Sequence, residues 1–242
     1  SEYSVTDKAD GLRAMGIVTT SGELFLIDQS MNVYRTGLQN KKCSQSIVDG
    51  EWVTFTKDGK AINHYLIFDI YYSINSTPSY QLPFATFKDG SIDMNEPSRF
   101  NLMNQWYSLW NDNPQVIAKG ITESNRLIIA LKHFSFASPG DAIFKRGCST
   151  ILDTSRIYYT DGLILTSNSE PLPEKPGVRF DSQFKWKPSK DNTVDFLITF
   201  ESDPVVTEKD KITTTIHPSS GETVQYKTIR LYVGGVSSLE ED

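Results

Sequence analysis

Basic residues are not in surplus. Lysine and arginine number 24 against 30 aspartates and glutamates, so the 242-residue chain carries a formal net charge of −6. A protein that grips nucleic acid through its phosphates ordinarily shows the opposite balance. A broadly basic surface is therefore excluded, and an RNA partner would need a local basic groove. Cysteine is scarce too: Cys43 and Cys148 are too few for a disulfide framework, and both read as reduced thiols of an intracellular protein. The three histidines, His64, His133 and His217, stand far apart and show no zinc-ligand spacing. No stretch approaches the roughly 18 to 20 apolar residues that cross a bilayer, so no membrane partner is expected. The opening "SEYSVTDKAD" has neither a basic leader nor an apolar run, so no secretory signal is expected. A GxxxxGK(S/T) loop is missing from the whole chain, which excludes a P-loop as the means of holding phosphates.

What is present points to a packed, β-rich domain. Hydrophobic residues make up 38% of the chain and aromatics 12%, enough for a sizeable core. Short runs of β-branched and aromatic residues alternate with turn dipeptides. "LRAMGIVTT" and "ELFLID" flank "SG", "VYRTG" follows, and "SIVDGEWVTF" and "AINHYLIFDIYY" flank "KDGK". "RLIIALKHFSF", "RIYYTDGLILTS", "FKWKP", "VDFLITF" and "KTIRLYVGG" continue the series. From Pro97 to Trp110 the residues Phe100, Met103, Trp106, Tyr107 and Trp110 recur at helical spacing, which predicts a helix with a core-facing aromatic stripe. "SPGDAIFKRGCSTILD" predicts a second helix. The class is α+β, dominated by antiparallel sheet.

The chemistry-bearing residues fall in short motifs. "KADGLR" places Lys8, Asp10, Gly11 and Arg13 around a turn, and "VDGEWV" follows at Val48 to Val53. "YLIFDI" spans Tyr65 to Ile70, "TDGLIL" spans Thr160 to Leu165, and "FKWKP" spans Phe184 to Pro188. Strand alternation puts Lys185 and Lys187 on one face, with Phe184 and Trp186 anchoring the other. It likewise puts Asp49 and Glu51 on one face, with Gly50 allowing close approach of a ligand or backbone. An unperturbed lysine has a pKa near 10.4, and freeing its lone pair at pH 7 costs about 4 to 5 kcal/mol at roughly 1.36 kcal/mol per pKa unit. Burial and nearby cations lower that cost.

In this order the five motifs resemble the covalent nucleotidyltransferase superfamily of mRNA capping enzymes and polynucleotide ligases, over about Thr6 to Phe196. The resemblance is strongest to the RNA guanylyltransferase domain of the capping proteins of large DNA viruses. It implies a nucleotidyltransferase fold (capping enzyme and DNA ligase-like), mainly antiparallel sheets with a few helices, over residues 1–193. The start of an OB-fold is implied over residues 194–242. The implied reaction is attack of Lys8 on the α-phosphate of GTP to give lysyl-GMP, then transfer of GMP to the 5′-diphosphate end of RNA. The resemblance carries a ribose contact to Arg13, base stacking to Phe68, the ribose and metal region to Glu51, and phosphate binding to Lys185 and Lys187. It assigns a divalent metal, Mg²⁺ or Mn²⁺, to Asp161 with Glu51. GTP and 5′-diphosphate RNA are the implied partners, with other capping domains (triphosphatase, methyltransferase) in the parent chain. The implied location is the host cytoplasm, in a viral factory, or the virion. The family's last basic motif finds no match before "VSSLEED", so the closing OB domain is expected to be incomplete. Two other readings stay open. One is an ATP-dependent DNA or RNA ligase, which shares the lysine chemistry but usually differs from "KWKP"; the other is a nucleotide- or RNA-binding module without turnover.

Overall fold

The structure is a computed structural model that describes residues 3–136, 143–174, 178, 180–193, 196–206 and 209–233. The chain divides into two compact units, Ser1–Asp191 and Asn192–Asp242.

In the first unit, β1 (Tyr3–Ala9) precedes a meander of β2 (Leu12–Val18), β3 (Glu23–Asp28) and β4 (Val33–Gln39). A long hairpin follows, β5 (Ser46–Phe55) and β6 (Ala61–Ser73). The short strands β7 (Thr77–Pro78), β8 (Phe87–Lys88) and β9 (Ser91–Ile92) lead to α1 (Arg99–Asn111). Then come β10 (Gln115–Val116), β11 (Ile128–Leu131) and β12 (Phe134–Phe136). A π-helical turn at Ile143–Gly147 runs into α2 (Cys148–Asp153), and β13 (Thr160–Ser167) and β14 (Gln183–Trp186) close the unit's sheets. The first residues of the expected helix "SPGDAIFKRGCSTILD" lie outside the described residues.

Two sheets result. One has eight strands in the order β10-β4-β3-β2-β5-β6-β11, with β7 on β6, and the other has four in the order β12-β1-β13-β14. The expected hairpins are all antiparallel, but β11 lies parallel to β6. A parallel neighbour needs a long crossover, and the segment holding α1 supplies it. Only Lys132 and His133 separate β11 of the large sheet from β12 of the small one.

The helix predicted from Pro97 begins at Arg99, because Ser98 caps it by accepting a hydrogen bond from the Asn101 N–H. Its stripe packs as expected: Met103, Trp106 and Trp110 are buried in the core of the large sheet, with Phe100 and Tyr107 flanking them. Trp106 and Trp110, one helical turn apart, stack at 5.2 Å between ring centroids. Truncating either to alanine would cost on the order of 3–5 kcal/mol. The small sheet has its own core, in which Val5, Leu163 and Leu165 pack against Ile151 of α2.

The second unit contains two antiparallel pairs. In it β15 (Leu197–Phe200) pairs with β18 (Ile229–Tyr232), and β16 (Ile212–Ile216) pairs with β17 (Thr223–Lys227). Val194 and Asp195 of the expected strand "VDFLITF" lie outside the described residues.

Candidate active site

Lys8 lies near the end of β1, opposite a bulge in β13. Asp7 pairs with Leu163 and Ala9 with Thr160, so β13 has one more residue than β1 across this interval. Bulges re-aim side chains, and here Asp161 meets Lys8: Lys8 Nζ donates to Asp161 Oδ1 at 2.6 Å. Lys187 Nζ lies 2.6 Å from the other oxygen, Oδ2, of the same carboxylate. Gly162 makes the bulge with φ +148°, and a Cβ there would lie 1.9 Å from the Trp186 carbonyl oxygen. No larger residue fits. Burial pushes the Asp161 pKa up, but the ammonium groups of Lys187 and Lys8 outweigh it and hold the carboxyl below its usual value.

The neighbouring wall comes from β2, β5 and β6. Arg13 pairs with Glu51 and Met15 with Asp49 across β2 and β5, so Arg13, Asp49 and Glu51 share a face, as the alternation predicted. Arg13 donates to Asp49 through Nε at 3.1 Å and through Nη2 at 2.6 Å, a two-pronged clamp that fixes the guanidinium plane. Asp49 is buried, which raises its pKa against the pull of Arg13. A second bulge lies opposite. Asp49 pairs with Asp69 and Gly50 with Ile67, which leaves Phe68 unpaired. Phe68 is consequently turned out of the ladder and half-buried, with the Arg13 guanidinium 6.0 Å from its ring centroid. Glu51 Oε1 accepts the Gly11 N–H at 3.1 Å, tying β5 to the turn that follows Lys8. Burial raises the Glu51 pKa, opposed by Lys132, the Gly11 N–H and Lys8.

Three expectations need correction. Strand β14 stops at Trp186, and of its two lysines only Lys187 reaches Asp161. Lys185 sits opposite Ile164, is exposed, and makes no ion pair among the described residues. The aromatics do not anchor the strand from beneath either, since Phe184 is 53% and Trp186 47% exposed. Gly50 does make room, but for the Tyr65 ring, which would lie 2.6 Å from a Cβ at that position.

The arrangement thus sets a lysine amine beside a second ammonium on one carboxylate, with an aromatic face, an arginine and a glutamate nearby. The family model of the mRNA capping enzyme catalytic domain matches residues 1–189. The chain belongs to this family. Among curated members, it is 27% identical over 201 residues to the mRNA-capping enzyme of African swine fever virus (strain Badajoz 1971 Vero-adapted), covering 81% of this chain and 18% of that protein. It is 29% identical over 227 residues to mRNA-capping enzyme subunit alpha of Eremothecium gossypii, covering 85% of this chain and 44% of that one. The chain therefore spans about a fifth of the viral relative and under half of the fungal one. In shape it also has a weak likeness to the ligase domain of M. tuberculosis LigD, with TM-score 0.48 and 12% identity, over 76% of this chain and 53% of that one.

Several residues at the site escaped the motif reading. Tyr71 faces Arg13, and its burial raises its pKa. Asp7, next to Lys8, is buried and accepts from Arg156 Nε at 3.4 Å and from the Tyr158 hydroxyl at 3.2 Å. Lys132, also buried, lies 3.2 Å from Asp7 Oδ2 through its Nζ. One signal was available: a lone lysine inside the apolar run "LIIALKHF" is costly to bury without a partner.

Among the described residues, no group of three or more His, Cys, Asp and Glu side chains forms a metal cage. Glu51 and Asp161 nevertheless suit a hard cation, which is commonly held by one or two carboxylates together with phosphate oxygens and water.

Proposed function

We propose that the chain is an mRNA guanylyltransferase, with Lys8 as its nucleophile. The observation that carries this reading is the shared carboxylate: Lys8 and Lys187 each lie 2.6 Å from one oxygen of Asp161. In the resting state Asp161 holds the Lys8 amine in an ion pair. When Asp161 turns to a new partner, the amine is released beside Lys187.

The neutral Lys8 amine then attacks the α-phosphorus of GTP. An N–P bond forms as the P–O bond to the β-phosphate breaks, pyrophosphate leaves with that electron pair, and the surplus amine proton passes to solvent. In the second step a terminal oxygen of 5′-diphosphate RNA attacks the same phosphorus, the N–P bond breaks, and Lys8 leaves as an amine after taking up a proton. Lys187 would hold phosphate oxygens, Phe68 would offer its face to guanine, and Arg13, fixed by Asp49, would contact the ribose. Lys185 would act at longer range, through its positive charge. A bound Mg²⁺ or Mn²⁺, held by Asp161 and Glu51, would neutralise the triphosphate charge.

Residues 194–242 are proposed as the first strands of an OB domain. In support, Leu197, Phe200 and Ile212 are 69%, 48% and 57% exposed on its paired strands, as strands awaiting further cover would be. The viral relative supports a viral source, and a place in the host cytoplasm or virion with triphosphatase or methyltransferase companion domains is part of the same proposal. The test is incubation with GTP labelled at the α-phosphate and a divalent metal, then denaturing electrophoresis with unlabelled ATP or GTP as competitor. A covalent label whose formation is suppressed by GTP and not by ATP is expected. Suppression by ATP would move the protein to the ligase side, and no label would leave a binding module.

A further inference from the structure

We propose that Lys132 is a positioning residue for the nucleophile, a strut that holds Lys8 and Phe68 at a fixed separation. The proposal rests on the reading of Lys8 as the nucleophile and Phe68 as the base platform. Lys132 is bonded at both ends. Its backbone N–H donates to the Ile67 carbonyl at 2.8 Å, one residue before Phe68. Its Nζ donates to the Asp7 carbonyl, one residue before Lys8. One residue thus joins the main chain of the large sheet to that of the small one, at the junction of β11 and β12.

Charge reinforces the strut. The Lys132 and Asp7 side chains are 2% and 3% exposed, and a buried ammonium is tolerated only when paired. Asp7, of β1 in the small sheet, satisfies it directly, and the charge of Glu51, of β5 in the large one, favours it at longer range. Thr6 adds a parallel tie, its hydroxyl donating to the His133 carbonyl at 2.7 Å. Lys8 and Phe68 each project beside a bulge, where the ladder leaves the backbone less constrained. A bond to the preceding residue supplies the missing restraint.

The test substitutes Lys132→Met, which keeps much of the apolar stem and removes the ammonium. Asp7 retains Arg156 and Tyr158 as partners, so the fold survives, which a thermal melt verifies. Lysyl-GMP formation at saturating GTP should slow about 10²-fold, the usual consequence of displacing a reacting group by about 1 Å. The GTP concentration giving half-maximal rate should stay where it is. A merely structural lysine would lower the melting temperature and leave the rate per folded molecule unchanged. A readout independent of GTP accompanies this one: acetylation of Lys8 by acetic anhydride relative to exposed Lys57, read by peptide mass spectrometry. That ratio should rise severalfold in Lys132→Met as Lys8 loses its tether. If the wild type forms no lysyl-GMP, the guanylyltransferase reading fails, and the acetylation ratio alone judges the strut. Labelling at the wild-type rate, or an unchanged acetylation ratio, overturns the proposal.

Discussion

Lys8 and Lys187 are bound to opposite oxygens of one carboxylate, each 2.6 Å from Asp161. The side chains come from residues 179 positions apart in sequence, counted from 8 to 187. They meet because β13 lies between β1 and β14 and bulges at Asp161 and Gly162. The contact restrains the nucleophile, which makes opposite predictions for two reagents.

Replacing Asp161 with asparagine should make Lys8 a better target for a simple amine reagent and a worse one for GTP. Acetylation of Lys8 should quicken, because the amine is no longer held in an ion pair with Asp161. Lysyl-GMP formation should slow by about 10²–10³, the typical loss for one charge-stabilising contact. If both rates fall together, the restraining role of Asp161 is wrong.

The two lysines of "KWKP" should not be equivalent. Lys187 holds Asp161 and Lys185 does not, so Lys187→Ala should cost on the order of 10²–10³ in adduct formation. Lys185→Ala should cost far less, since an exposed charge acts through screened solvent. Single-turnover labelling of the two variants checks the order, and equal losses would restore the simple alternating picture.

That contrast shows where sequence reading stopped. The hairpins, the α1 stripe and the "KADGLR", "DGE" and "KWKP" stretches are contiguous, and their local alternation or turn chemistry could be read directly. Bulges are not contiguous signals. Nothing in "YLIFDI" reveals that Phe68 is skipped by its partner strand, or in "TDGLIL" that β13 has an extra residue opposite Lys8. Ladder pairing decides both. Alternation placed Lys185 with Lys187, but β14 ends between them. The bond from Lys132 to Asp7 spans 125 positions, and no periodicity reports a contact at that range.

Glu51 should trade stability for function. Its pKa is raised from 4.5 chiefly by burial, so the folded protein binds that proton more tightly than the unfolded chain does. Its contribution to stability is full below about pH 4.5 and is lost as pH rises through the raised value. Glu51→Gln keeps an oxygen for the Gly11 N–H and removes the charge. Its melting temperature should therefore exceed the wild type's at pH 7 while labelling slows. Parallel melting curves from pH 4 to pH 7 would show that the Glu51 carboxylate carries no such cost.

Phe68→Ala should weaken GTP binding by about 1–3 kcal/mol, the usual value of one base stacked on an aromatic ring. Phe68→Tyr should bind close to wild type. Calorimetric titration of GTP into each variant checks this, and unchanged affinity in Phe68→Ala would remove Phe68 from the nucleotide site.

The most direct measurement is to map the adduct itself. After reaction with α-labelled GTP and Mg²⁺, the protein is digested under alkaline conditions, which preserve a phosphoramidate, and the labelled peptide is sequenced by mass spectrometry. The GMP should sit on Lys8, be released by acid, and be absent from both Lys8→Ala and Lys8→Arg, since arginine stays protonated at any usable pH. A label on another residue, or one that persists in a folded Lys8→Ala protein, would contradict the assignment of Lys8 as the nucleophile.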